Sequence, residues 1–441
     1  MIDWYSLLFF AFILLFIILE KINSHRTPYH FIVEGQQIGL SGGTYSLLIQ
    51  FMTGTTFLFP LFLTIEFQLL SVILLLLEAI LLYFLLIKIK ANVEIMGAFL
   101  DLKKKPFLIW IFALANLGNL FLQTGLIAYL FQNLYHEALG IGIGLFLAFC
   151  FVYFGLGGYY GLNRIGSILL YGSFFILSFT TLILFLRSGM DIIFEKYMNR
   201  YSTFSTGGIL NAAFCFVTFS LVMIGQTCTS FYFWSSLSSI KENHRVSALR
   251  YSLFSWGAFL LAIVVITINF LVRMNPFVDP LDLAKMMNPV FLHVITYILF
   301  MLLVTGVGNN LYSIVSLFFI LKMERTDSVE DRSNKLIKQG YLLGLVLCLV
   351  IGVIVATIYQ NFVTWIPFFL SFFASAGIPF LFATLTGQLR EKAAFITVML
   401  MVIVDLGLIK LIENLWIIAP ISGLIAFIIY ALIQKFKIVR N

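Results

Sequence analysis

Thirteen apolar stretches, each of roughly the 20 residues needed to cross a bilayer as a helix, follow one another along this 441-residue chain. No other feature restricts its fold as strongly. Hydrocarbon offers no partner to a backbone N–H or C=O, so spanning segments are helices or closed barrels. Runs of this length without two-residue alternation read as helices. With 61% hydrophobic and 11% charged residues, the chain lacks the composition of an ordinary soluble domain. The expected fold is an all-α polytopic membrane protein of about 13 transmembrane helices.

Two of the stretches are interrupted. QFMTGTTFLFP, from Gln50 to Pro60, sets Thr53, Gly54, Thr55, Thr56 and Pro60 inside an apolar run, and GQTCTS does the same from Gly225 to Ser230. Unwound backbone at membrane depth survives only against protein or a water-filled cavity. Paired interruptions in matching places of two halves point to a transporter with inverted repeats and a midplane site. Small polar residues also serve ordinary helix contacts, and only the pairing favours the site. Ten spans, from Ser41 to Leu186 and from Gly208 to Leu385, divide into two sets of five, each opened by an interrupted helix. An odd number per set gives the halves opposite orientation. The expected organisation is an accessory helix and lead-in over 1–26, a first repeat over 27–187, a connection over 188–207, a second repeat over 208–389, and two accessory helices with a basic tail over 390–441.

The charges give an orientation. The first apolar run, Trp4 to Glu20, has no basic residue before it and Lys21 and Arg26 after it, which reads as a retained anchor with its N-terminus outside. On that topology 21 of the 27 Lys and Arg fall on the cytoplasmic side and six outside, with none at mid-bilayer. The net charge of +7 is thus a matter of topology; no basic groove with interleaved aromatics is left for nucleic acid. The expected location is the plasma membrane, with the C-terminus cytoplasmic and lipid and a small-molecule solute as partners. Lys322 to Gln339 reads as a mixed-charge hinge between spans. Arg187 to Gly207 and Arg273 to Pro289 are long enough for short surface helices. The four cysteines lie in apolar runs without metal or paired spacing, and the five histidines have no clustered partners. No enzyme is expected: there is neither a polar catalytic loop nor a set of clustered carboxylates.

Several segments in order resemble the sodium:solute symporter family. They are TPYHFIVEGQQIGLSGGTYSLL (Thr27 to Leu48) before the first core helix, MGAFLDL (Met96 to Leu102) after the second, and FGLGGYYGLNRIGSIL (Phe154 to Leu169) entering the fifth. GQTCTSFYFWSSLSSIKENHRVSALR (Gly225 to Arg250) is similar to the sixth helix and its exit, and Ala376, Gly377, Ile378 and Pro379 to the tenth. The resemblance implies a five-plus-five inverted-repeat core with broken first and sixth core helices. It also implies a sodium ion held by the carbonyls of Ile49 and Met52 and by hydroxyls on the eighth helix. Thr305 takes the first hydroxyl position, Gly306 stands in the second, and Ile165 and Gly166 replace a Thr-Asp pair on the fifth helix. The implied function is sodium-coupled symport. The alternatives are a proton-coupled transporter and a non-transporting sensor or scaffold of the same fold, which the lost hydroxyl and lost Thr-Asp pair favour.

Neutral polar residues near the breaks, Thr55, Thr56, Gln226, Thr227 and Thr229, suit a small polar or zwitterionic solute. Asn116, Asn119 and Gln123 share one face of the third core helix and either line the pathway or join helices. Two acids lie within apolar runs, Glu78 and Asp405, where an acid needs a partner or a proton. Glu78 is the candidate proton-coupling group.

Overall fold

The computed structural model describes residues 28–32, 38–90, 102–130, 132, 139–152, 156–200, 208–273, 289–322, 330–386, 389–412 and 414–435. The expected N-terminal anchor, the segment Met96 to Asp101 and the connection 274–288 lie outside the described residues. In chain order the helices are α1 (Pro28–Ile32), α2 (Leu40–Phe51), α3 (Gly54–Phe67), α4 (Leu70–Lys90), α5 (Pro106–Leu130), α6 (Leu139–Cys150), α7 (Leu156–Ser188) and α8 (Met190–Arg200). They continue as α9 (Ile209–Cys228), α10 (Phe231–Ser239), α11 (Arg245–Arg273), α12 (Pro289–Lys322), α13 (Glu330–Ile358), α14 (Phe362–Thr386), α15 (Glu391–Leu411) and α16 (Leu415–Lys435).

Both expected interruptions are breaks. The first core helix runs as α2 and, after Met52 and Thr53, resumes as α3 at a 60° bend. The sixth runs as α9 and α10, parted at Thr229 and Ser230. Every other expected span from Phe67 onward contains a helix among its described residues, so two five-span sets, α2–α7 and α9–α14, each begin with a broken helix. One expectation is corrected. Lys322 to Gln339 is not all hinge, because α13 starts at Glu330 and carries its first turns through the charged stretch. Hydropathy marks the membrane boundary, whereas Glu, Lys and Gln are good helix formers beyond it. Among the expected surface segments, α8 is helical, with Ile192, Phe194 and Met198 exposed.

The ten core spans sort by packing into two groups. Helices α2–α3, α4, α9 and α11 pack on one another, and so do α5, α6, α12 and α13. The fifth core helix, α7, leans on both groups, and the tenth, α14, lies between α9, α5 and the accessory helix α16. Helix α12 is buried throughout an 18-residue apolar stretch, as expected of a helix apolar all round at the centre of a bundle. Outward faces carry Phe175, Phe254, Val353 and Ile403, which suit lipid. Two glycines shape the approach of α7. Gly158, at φ 55°, turns the chain into α7. Gly166 lets α7 approach α2, since a Cβ there would stand 2.5 Å from Ile49 Cδ1.

Candidate transport site between the broken helices

A broken helix leaves backbone donors and acceptors that must be paired inside the protein. At the first break Thr53 caps α3 in a capping box with Thr56. The Thr56 hydroxyl also donates to the Phe51 carbonyl, and Thr53 Oγ1 lies 2.7 Å from Thr55 Oγ1. The Gly54 N–H donates across to Gln123 Oε1 at 3.0 Å. At the second break Thr229 Oγ1 donates to the Gly225 carbonyl at 2.7 Å, Ser230 caps α10 by accepting from the Phe233 N–H, and Trp234 Nε1 donates to the freed Cys228 carbonyl at 2.7 Å. Ser230 Oγ donates to Gln50 Oε1 at 2.9 Å and so ties the two breaks together.

The polar stripe of α5 serves both breaks. Asn116 Nδ2 donates to the Thr229 carbonyl at 3.3 Å, and Gln123 receives Gly54 while its own Nε2 donates to Asn119 Oδ1 at 3.3 Å. Of the expected substrate residues, Thr56, Asn116, Asn119, Gln123, Gln226, Thr227 and Thr229 are buried and Thr55 is partly exposed, and all lie at the breaks or on the stripe that spans them. Gln226 Nε2 is a buried donor without a partner among the described residues. Gln123→Leu keeps the bulk but strands the Gly54 N–H, so a stability loss of about 1–3 kcal/mol is expected. A lowered melting temperature, restored by Gln123→Glu, checks it.

The positions expected to hold a cation, Ile49, Met52 and Thr305, are all buried. Gly306 faces Gln123, since a Cβ there would sit 3.2 Å from three of its side-chain atoms. A serine hydroxyl at 306 would crowd the amide that caps the first break. Thr305 is buried and donates to the Met301 carbonyl of its own helix. One turn on, Asn309 Nδ2 donates at 3.2 Å to the Ile49 carbonyl in the last turn before the break. Asn309 Oδ1 is buried without a partner among the described residues. Sequence reasoning missed Asn309, although two adjacent asparagines in an apolar run were a visible signal.

Glu78 lies fully buried on α4 and accepts from Ser220 of α9. Its other oxygen has no partner among the described residues, and neither has Trp256 Nε1. The Trp256 ring stands 6.1 Å from those of Phe51 and Phe219, beside the first break.

Toward the end of the bundle where α2 begins and α10 ends, three tyrosines pack together. Tyr159, Tyr232 and Tyr312 are fully buried, with ring centroids 5.7–6.0 Å apart. Tyr312 donates to the Ile32 carbonyl at 2.6 Å, Tyr232 to Asn163 Oδ1 at 2.8 Å, and Tyr159 pairs with Ser46 at 2.8 Å. A two-way backbone bridge, at 2.9 and 3.1 Å, joins Ile38 to the exit of α10 at the same end.

Two broken helices, bridged by one polar stripe between two packed groups, form a shape that can be compared with solved structures. A Na+-coupled sialic acid symporter in a substrate-bound outward-open state superposes with a TM-score of 0.71 over 99% of this chain and 98% of that one, at 14% identity. The chain has the fold of a solute symporter. A mutant form of the Eremococcus coleocola manganese transporter superposes with a TM-score of 0.51 over 95% and 97% of the two chains, at 14% identity. The structure with the aromatic bis-isothiourea compound gives 0.50 over 90% and 92%, at 13%. No protein-family model matches the chain, and no curated protein matches it in sequence. The five-plus-five core and its broken first and sixth helices are therefore the transporter architecture that the resemblance implied.

Proposed function

We propose that the chain is a secondary active transporter of the plasma membrane that couples sodium to symport of a small polar or zwitterionic organic solute. Gln226 Nε2 at one break and Asn309 Oδ1 beside the other, both buried without a partner among the described residues, carry this reading. Polar atoms held inside a membrane protein without partners are costly, and a bound solute or ion would satisfy them. The basic face, with Lys103 to Lys105, Lys241, Arg245, Lys322 and Lys435, is the cytoplasmic one by the distribution of Lys and Arg. Alternating access would rock the group containing α2–α3 and α9–α10 against the group containing α5 and α12.

The donor set suits a hard cation. The Ile49 and Met52 carbonyls and the Thr305 hydroxyl supply oxygen. A half-turn of the Asn309 amide would exchange the nitrogen now facing Ile49 for its free oxygen. Asn309 thus stands in for the hydroxyl missing at Gly306. In the other orientation the amide N–H occupies the cation's place, and that favours a second reading, proton coupling through Glu78. The Ser220 hydroxyl has one proton and two acceptors in reach, Glu78 and the Phe216 carbonyl at 2.9 Å. A proton on Glu78 would supply the bond that is lacking.

One experiment separates the readings. Sodium binding to the native state raises its stability, by roughly 2.7 kcal/mol at a hundredfold excess over Kd. Sodium is expected to raise the melting temperature over potassium or choline at equal ionic strength, and Thr305→Ala and Asn309→Leu to abolish the rise. No sodium-specific rise, together with a pH dependence that Glu78→Gln removes, would replace sodium by the proton.

A further inference from the structure

Asp405 lies outside the ten-helix core and has no part in the reading above, yet it is fully buried in the C-terminal half of α15. Its two oxygens face two helices. Ser422 Oγ of α16 is 2.6 Å from Oδ1, and Ser375 Oγ of α14 is 3.3 Å from Oδ2. All three residues are at most 1% exposed.

Among the described residues no cation neutralises this acid. Of the helices packed against α15, α5 and α14 contain no Lys, Arg, His, Asp or Glu, and Tyr129 is the only titratable residue in either. On α16 the titratable groups are Tyr430 and Lys435, and Lys435 is about 20 Å along the helix from Ser422 at 1.5 Å per residue. On α15 itself the charged residues are Glu391 and Lys392 in its first turn and Lys410 in its last, the last of these exposed. Asp405 has hydroxyls for company.

Counting protons shows what that company requires. Each serine hydroxyl has one proton. Ser422 Oγ has two acceptors in reach, Asp405 Oδ1 and the Ser371 carbonyl at 3.1 Å, and Ser375 Oγ likewise has Asp405 Oδ2 and the Phe372 carbonyl at 2.9 Å. With Asp405 ionised, both serine protons are drawn to the carboxylate, and the buried charge still has no counter-ion among the described residues. A proton on Oδ1 donates to Ser422, which then donates to Ser371, and a single relay joins α15, α16 and α14.

The turn of α14 so held is a weak point of that helix. Pro379 has no N–H, so the Ser375 carbonyl four residues earlier loses its helical bond. Two residues on from Ser375, Gly377 presses on the other broken helix, where an added Cβ would stand 2.8 Å from Gly225 Cα. Gly225 adjoins Gln226. One turn therefore touches Asp405 on one side and the second break on the other.

We propose that Asp405, Ser375 and Ser422 form a proton-binding site whose loading holds the Pro379 turn of α14 against the broken sixth core helix. Loss of the proton leaves a buried anion without a counter-ion, which parts α15 and α16 from α14 and frees that turn. The site thereby sets how readily the second break opens, whichever ion drives transport.

The test uses full-length protein in lipid nanodiscs, in a Glu78→Gln background that removes the other mid-span acid. The parent is expected to show a carboxylic-acid C=O stretching band at neutral pH. Asp405→Asn should remove it, and Ser422→Ala should shift it to higher frequency. The parent's melting temperature and the protection of Cys228 from thiol reagents should both fall as pH rises, and Asp405→Asn should abolish both falls. If Asp405→Asn does not fold, the parent band and its shift in Ser422→Ala decide the matter. Absence of the band, or an unaltered pH profile in Asp405→Asn, would overturn the proposal. Stabilisation specific to sodium and lost in Asp405→Asn would also overturn it, in favour of a metal ion.

Discussion

Gly225→Ala is expected to cost about 3 kcal/mol or more, at or beyond the upper end of what overpacking a core usually costs, and to abolish transport. A Cβ on Gly225 would lie 1.8 Å from the Phe373 carbonyl oxygen and 2.6 Å from its carbon. Those are backbone atoms of α14, and no side-chain rotation relieves them. The reciprocal contact, from Gly377 to the backbone of Gly225, rules out sliding one helix past the other. The two helices must separate, and the break that carries Gln226 and Thr227 moves with them. Small residues commonly permit such close crossings in membranes, but here the crossing falls on the break itself. Gly118→Ala is the control, because its Cβ would meet Phe372 at an ordinary 3.5 Å. Melting temperatures of both variants check the prediction. A Gly225→Ala protein as stable as Gly118→Ala would show that α9 and α14 are not in backbone contact.

Both breaks were legible because Thr53–Thr56 and Gly225–Ser230 are polar and small inside runs that are otherwise apolar. The two-set architecture followed from parity and from the order of weak motifs. What pairs with the breaks was not legible. Asn309 meets Ile49 across 260 positions, Ser220 meets Glu78 across 142, and Gln123 meets Gly54 across 69. Helices apolar all round give no periodicity to say which face meets which neighbour, so the stripe on α5 could be read as lining or as glue. The structure shows Asn116 and Gln123 bonded to backbone at the two breaks. The same blindness hid the role of Gly306, whose lost hydroxyl reads from sequence as damage and from the fold as room for Gln123. Asp405 stood out as an acid in an apolar run, but its serine partners come from two other helices.

The tyrosine cluster gives the second large effect. Tyr312 is fully buried, donates to Ile32, pairs with Ser235 at 3.0 Å, and lies with its ring 6.3 Å from that of Phe231, three residues after Cys228. Tyr312→Ala removes a whole ring from a packed site and is expected to cost about 3–5 kcal/mol, as large-to-small aromatic changes do. Tyr312→Phe loses the hydroxyl alone and is expected to cost about 1–3 kcal/mol for the stranded Ile32 carbonyl. The functional consequence separates a gate from mere packing. If the three rings close the basic face, their removal opens a water path to the second break, where Cys228 is buried in the native protein. With Cys150, Cys215 and Cys348 replaced by alanine, Cys228 should resist a thiol reagent added from the basic face in the parent and in Tyr312→Phe. It should react readily in Tyr312→Ala. Instability by itself would expose cysteines from either face, so labelling confined to the basic face, at a temperature below unfolding, is the decisive result. Equal labelling from both faces would mean that the tyrosines hold the fold together without gating it.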